Sequence, residues 1–274
     1  MIDAAGTGRH RSRSSPVPAD VRRARGTNRV PRVAALLVVV ALAPPAASAD
    51  EIVSRRFRSS GVNRSYAAVL RPRGRSRPLL ILLHGSGGTA RGMVERWRDL
   101  ARREDIVVAA PDAVDRRRWQ PPEDGPVLLR DLVEEMAPHG IERRRVYLFG
   151  YSAGGVFALY MAALESEYFA AAASHAGTFD DEADLTFLDR APRKVPLLLG
   201  VGGRDTLFPP PLFRARVNRL ESAGFPVTTF VLPEARHRYE PIGEINERVW
   251  SFLRRHALDR APVFAPITFG SSSR

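Results

Sequence analysis

Cysteine is missing from all 274 residues. No disulfide framework, thiolate metal site, iron–sulfur cluster or cysteine nucleophile can be built, so Ser, Asp, Glu, His and backbone amides must carry any chemistry. Lysine is nearly missing too: Lys194 is the only one among 42 basic residues, and the formal charge of +12 is almost wholly arginine. The arginines, among them Arg55, Arg96, Arg116, Arg143, Arg214 and Arg254, are scattered rather than gathered on one helix with interleaved aromatics. A nucleic-acid-binding surface is therefore not expected. Long apolar runs are scarce as well. The longest, Val33-Ala-Ala-Leu-Leu-Val-Val-Val-Ala-Leu-Ala43, has 11 residues, short of the ~20 that span a bilayer.

That run follows an arginine-rich polar stretch and precedes Pro44-Pro45 and Ala46-Ala47-Ser48-Ala49, the order of a secretory signal peptide with an A-x-A cleavage site. The expectation is that residues 1–49 form a signal peptide, with the mature chain beginning at Asp50 and secreted or periplasmic, without a stable membrane anchor. Retention of the run as an anchor is the alternative. Cleavage removes eight arginines and two aspartates and leaves a formal charge of +6, too mild to name a partner.

From Asp50 onward, segments of strand and helix character alternate with no repeat and no linker. Residues 52–57 and 66–70 alternate around Ser60-Gly61-Val62-Asn63 and suggest a leading hairpin. The wholly apolar Leu79-Leu80-Ile81-Leu82-Leu83 suits a strand buried on both faces of a parallel sheet, and similar runs recur at 106–110, 146–149, 170–173, 196–201 and 227–232. Helical patterns lie between them at 91–103, 127–137, 153–165, 209–223 and 240–256. This predicts a single α/β domain over 50–260, with a mostly parallel central sheet and helices on both faces, and a loosely ordered tail over 261–274.

Gly150-Tyr151-Ser152-Ala153-Gly154 stands directly between the strand pattern ending at Phe149 and a helical pattern. In that position the pentapeptide reads as a nucleophile elbow: a strained turn that lifts Ser152 above the sheet, flanked by glycines because side chains there would strike the strand and helix. Upstream, His84-Gly85-Ser86-Gly87-Gly88-Thr89 follows the strand pattern 79–83 and lets backbone amides approach a ligand oxygen. The oxyanion donors are assigned as the amides of Ala153 and Ser86, with Gly87 as alternative to Ser86. The stretch lacks the G-K-[ST] lysine of a phosphate loop.

A serine nucleophile needs a base. Of the six histidines, His10 lies in the removable segment, His84 precedes the serine at a strand end, and His139 sits in a surface connection. His256 belongs to the last helix pattern, and His175 follows Ser152 too closely to leave room for an acid between them. His237, in a polar loop after the pattern 227–232, is the expected base. Asp205, closing the buried run Leu197-Leu198-Leu199-Gly200-Val201-Gly202-Gly203-Arg204, is the expected acid, with Glu234 in reserve, while Asp180, Asp181, Asp184 and Asp189 read as a solvated segment. Trp119, Tyr151 and His175 are candidates for substrate contact, weighed against a half-buried loop tryptophan and a satisfied core histidine.

These residues resemble the α/β-hydrolase superfamily, and within it the secreted esterases that include polyhydroxybutyrate depolymerase-like, feruloyl esterase-like and acetylxylan esterase-like proteins. The likeness covers roughly 79–253 and rests on Leu83-His84-Gly85-Ser86-Gly87-Gly88, Pro111-Asp112, Gly150-Tyr151-Ser152-Ala153-Gly154-Gly155, Gly202-Gly203-Arg204-Asp205 and His237. It implies Ser152 as nucleophile, Asp205 as the acid orienting the base, His237 as the base, a carboxylic ester of small or oligomeric substrates, and no metal or organic cofactor. The chain departs from that branch in having no cysteine, and it shows no polymer-binding module. A serine peptidase of the same fold and a non-catalytic binding protein on the same scaffold are the alternatives.

Overall fold

The computed structural model describes residues 51–179 and 185–265. The expected signal peptide, Asp180, Asp181 and Asp184, and residues 266–274 lie outside the described residues. β1 (Ile52–Ser59) and β2 (Val62–Val69) form the hairpin. Its turn is tighter than the sequence suggests, because Ser60 (φ 49°) and Gly61 (φ 81°) both take the left-handed conformation that matches the twist of paired strands. The chain continues through β3 (Arg77–Leu83), α1 (Ala90–Arg103), β4 (Val107–Pro111), α2 (Pro126–Met136), β5 (Ile141–Tyr151), α3 (Ala153–Leu164) and β6 (Ala171–His175). It ends with α4 (Phe187–Arg190), β7 (Leu197–Gly202), α5 (Pro210–Ser222), β8 (Val227–Leu232) and α6 (Ile242–Leu253).

The strands form one eight-stranded sheet in the order β1-β2-β4-β3-β5-β6-β7-β8. The pairs β1–β2 and β2–β4 are antiparallel, and every pair from β4 to β8 is parallel. Two cores follow from the pleat. In β3, Leu79, Ile81 and Leu83 face one layer with Leu128, Leu132 and Phe157 of α2 and α3, whereas Leu80 and Leu82 face the other with Trp97 and Val249 of α1 and α6. The mostly parallel α/β fold expected from the sequence is thus the fold observed. The chain leaves β3 toward β4 on one side and returns through β5 on the other, so the ends of β3 and β5 flank the crevice where an open sheet of this kind places its ligand.

Some bounds differ. β5 runs over 11 residues, because its polar start pairs Ile141 with Arg77 beyond the apolar core, where no hydrophobic signal marks a strand. α4 is a four-residue turn in the segment read as solvated, and its Asp189 pairs with Arg219. Residues 261–265 of the expected tail lie against the domain: Val263 N–H donates to the Glu167 carbonyl, and Phe264 meets Tyr168 edge-on.

Candidate active site

Ser152 sits between the last residue of β5 and the first of α3, at φ 52° and ψ −123°, a conformation that costs a non-glycine residue energy and needs surroundings that enforce it. Those surroundings are the flanking glycines. A Cβ on Gly150 would stand 1.9 Å from the Gly154 carbonyl oxygen, and one on Gly154 would stand 2.2 Å from that of Leu83. The Ser152 amide is tied to the neighbouring strand by a 2.9 Å bond to the His175 carbonyl. The turn therefore presents the hydroxyl at the carboxyl edge of the sheet.

The Ser152 Oγ lies 2.8 Å from His237 Nε2, and His237 Nδ1 lies 2.9 Å from Asp205 Oδ2. A carboxylate can only accept, so Nδ1 carries the imidazole proton and Nε2 offers its lone pair to the hydroxyl. Asp205 is fixed from its other oxygen by the amides of Leu207 and Phe208, each at 2.9 Å. Its side chain is wholly buried while His237 keeps a sixth of its surface open, so the acid is held in a dry socket and the imidazole edge faces the cavity. Glu234, the reserve acid, is exposed and paired with Arg204 instead.

The loop after β3 is clamped from several sides. His84 Nδ1–H donates to the Gly85 carbonyl at 2.9 Å, its Nε2 accepts from the Ala113 amide at 3.2 Å, and its carbonyl accepts from Trp119 Nε1 at 2.9 Å. Burial pushes the His84 imidazole below the ordinary histidine range, consistent with this neutral tautomer. Within the loop, the Gly87 amide donates to the Arg116 carbonyl at 2.7 Å and the Gly88 amide to that of Gly85 at 2.9 Å. Gly87 is thereby engaged within the protein. Ser86 and Ala153, by contrast, both line the cavity that holds Ser152.

That cavity measures about 720 Å³ and is walled by α3, by the loop carrying Trp119 and Pro121, and by Leu207, Phe208 and Leu212 at the entry to α5. Of the three residues expected to touch substrate, only Trp119 reaches it. Tyr151 and His175 are not among its lining residues. Tyr151 hands its hydroxyl proton to the His237 carbonyl at 3.2 Å, and His175, with no exposed surface, donates from Nε2 to the Arg238 carbonyl at 3.0 Å. Both hold the backbone of the His237 loop through these bonds. The apolar walls contributed by Val156, Tyr160 and Leu164 carry no signal in the sequence, since residues on a uniformly apolar helix read as core, and Leu212 adds a wall from α5. Among the described residues, no three His, Cys, Asp or Glu side chains are grouped so as to hold a metal ion, and no helix is long and apolar enough to cross a membrane.

Comparison with known proteins agrees with this architecture. A family profile described as the alpha/beta hydrolase family matches residues 80–271. NocK of Nocardia uniformis subsp. tsuyamanensis, named as a candidate esterase, is 31% identical over 176 residues, which are 58% of this chain and 48% of NocK. The chain thus spans about half the length of that relative. Among solved structures, a ferulic acid esterase superposes with a TM-score of 0.60 at 16% identity, over 75% of this chain and 98% of that one. An acylaminoacyl peptidase from Pyrococcus horikoshii also gives 0.60, at 15% identity over 78% of this chain and 43% of that one. At such identities the structural likeness speaks for the fold alone, while the profile covers well over half of the sequence: the chain belongs to the alpha/beta hydrolase family.

Proposed function

We propose that the protein is a serine hydrolase that cleaves carboxylic esters through an acyl-enzyme intermediate. The observation that carries this reading is the unbroken line from Ser152 Oγ through His237 to the buried Asp205, opening on a cavity beside the Ser86 and Ala153 amides. Ser152 Oγ attacks the ester carbonyl carbon while its proton passes to His237 Nε2, and Asp205 holds the imidazolium that forms. The carbonyl oxygen takes up negative charge and is met by the amides of Ser86 and Ala153. Collapse breaks the bond to the alcohol oxygen, which leaves with the proton from Nε2. Water then loses a proton to Nε2 as its oxygen attacks the acyl carbon, and collapse breaks the bond to Ser152 Oγ, which takes that proton from Nε2 as the carboxylic acid leaves.

The likeness to NocK supports esters over peptides. A fluorophosphonate probe should label the parent and miss Ser152→Ala, and p-nitrophenyl butyrate should be turned over by the first and not the second. Labelling that survives at another serine overturns the assignment. Export with cleavage after Ala49 belongs to the same reading and rests on the 11-residue apolar run and Ala47-Ser48-Ala49. The exported chain should begin at Asp50, and a mature chain retaining Leu36 would contradict it.

A further inference from the structure

Helix α3 has the sequence Ala-Gly-Gly-Val-Phe-Ala-Leu-Tyr-Met-Ala-Ala-Leu, with no charged residue in 12 positions. A helix this apolar is ordinarily buried all round. This one packs one side on the sheet and leaves Val156, Tyr160 and Leu164, spaced four apart, only half buried. All three line the cavity that contains Ser152. From Ser152 to Leu164 the stripe runs about 18 Å at 1.5 Å per residue. Facing it are Leu207, 64% exposed, and the half-buried Phe208 and Leu212. Apolar surface left open beside a reactive serine is a binding feature rather than a packing one.

We infer that this groove is an acyl-chain subsite and that the preferred esters carry a linear, apolar acyl chain well longer than acetyl, an inference that rests on the esterase reading above. Among the described residues, the charge in the lining is confined to Arg118 at the rim, 71% exposed and 3.6 Å from Asp115. The aromatic rings around it are already engaged. Trp119 packs on Phe157 at 4.7 Å and 5° and on His84 at 4.8 Å, Tyr160 stacks on Phe187 at 5.3 Å, and Phe208 lies over His237 at 5.8 Å. No pair of them forms an open slot for a planar aromatic acyl group, whereas a flexible chain can follow the stripe. The stripe starts at Ala153, directly after the serine, so a chain lying on it is anchored at the acyl carbon, and the comparison of octanoate with decyl acetate decides between the acyl and alcohol sides.

The test is the ratio of kcat/KM for p-nitrophenyl octanoate to that for the acetate. It should exceed about tenfold, since each methylene removed from water favours binding. Leu164→Asp and Leu212→Asp should lower the ratio about tenfold, and Leu212→Met should retain it. If Leu164→Asp does not fold, Leu212→Asp, at the half-exposed start of α5, decides. Methyl decanoate should raise the melting temperature of Ser152→Ala and methyl acetate at equal concentration should not, which reads the groove without turnover. A ratio near one with acetate hydrolysed, a ratio unmoved by either aspartate, or a gain that follows decyl acetate instead of octanoate overturns the subsite. If no ester is hydrolysed, a shift with methyl decanoate upholds the groove and defeats the esterase reading, and no shift defeats the groove as well.

Discussion

His237 and His175 stand at the carboxyl edge of one sheet, each within about 6 Å of the Tyr151 ring, and their surroundings give them opposite chemistry. His237 has a carboxylate behind Nδ1, a hydroxyl before Nε2 and an open edge. His175 has neither partner. Its Nε2–H is given to the Arg238 carbonyl, its Nδ1 finds no partner among the described residues, and burial pushes its pKa down to about 4. A proton accepted there would be stranded in a dry interior, so the ring stays neutral and acts as a strut. The two are linked, since the carbonyls of His237 and Arg238 are the atoms that Tyr151 and His175 hold. Position at a strand end and an aromatic neighbour do not make a base; an acid on one nitrogen and a path to substrate on the other do.

The sharpest way to break this contrast is to remove each ring in turn. His237→Ala should lose on the order of 10⁴–10⁶ in kcat, as should Ser152→Ala, and the double variant should be little worse than either because the residues act as one unit. Asp205→Asn should lose about 10³–10⁴ by favouring the wrong tautomer. His175→Gln, whose amide can still reach toward the Arg238 carbonyl, should lose less than about tenfold. These values come from kcat on p-nitrophenyl butyrate, with circular dichroism to verify folding. A folded His175→Gln as inactive as His237→Ala would mean that the roles of the two histidines were misread.

Much of this was legible in the sequence for definite reasons. Buried parallel strands must be continuously apolar, so 79–83 and its successors marked the sheet, and the elbow is local in sequence because its glycines are imposed by backbone contacts a few residues away. The order along the chain singles out Ser152, Asp205 and His237, and Ser152–His237 and His237–Asp205 are within hydrogen-bond distance. What stayed hidden depends on direction. The sequence placed His175 and Tyr151 beside the serine without revealing that their side chains hold the backbone of the His237 loop. It also could not separate Val156, Tyr160 and Leu164 from core, because an apolar residue facing a cavity and one facing a sheet are the same letter. Nor does the sequence tell that the Gly87 amide is bonded to the Arg116 carbonyl while Ser86 lines the cavity.

A smaller effect sets His175 against a second buried group. The Glu165 carboxyl, 2% exposed, accepts from the Ala265 amide and has no other partner among the described residues, and burial pushes its pKa up to about 7 from an ordinary 4.5. His175 moves the other way, from 6.5 to about 4. For His175 the unfolded chain binds a proton that the native state refuses, so its contribution is complete above pH 6.5 and is lost as the pH falls toward 4. For Glu165 the native state keeps a proton that the unfolded chain releases, so its contribution is complete below pH 4.5 and is lost as the pH rises through 7. Each span amounts to about 3 kcal/mol. Between pH 4.5 and 6.5 the two slopes oppose each other, and burial of His84, His139 and His256 adds to the histidine side. In urea unfolding at pH 4.5, 5.5, 6.5 and 7.5, Glu165→Gln should therefore gain stability with pH more steeply than the parent, and His175→Gln less steeply. If both variants keep the parent's slope, neither side chain titrates as its burial dictates, and the neutral strut beneath His237 loses its physical basis.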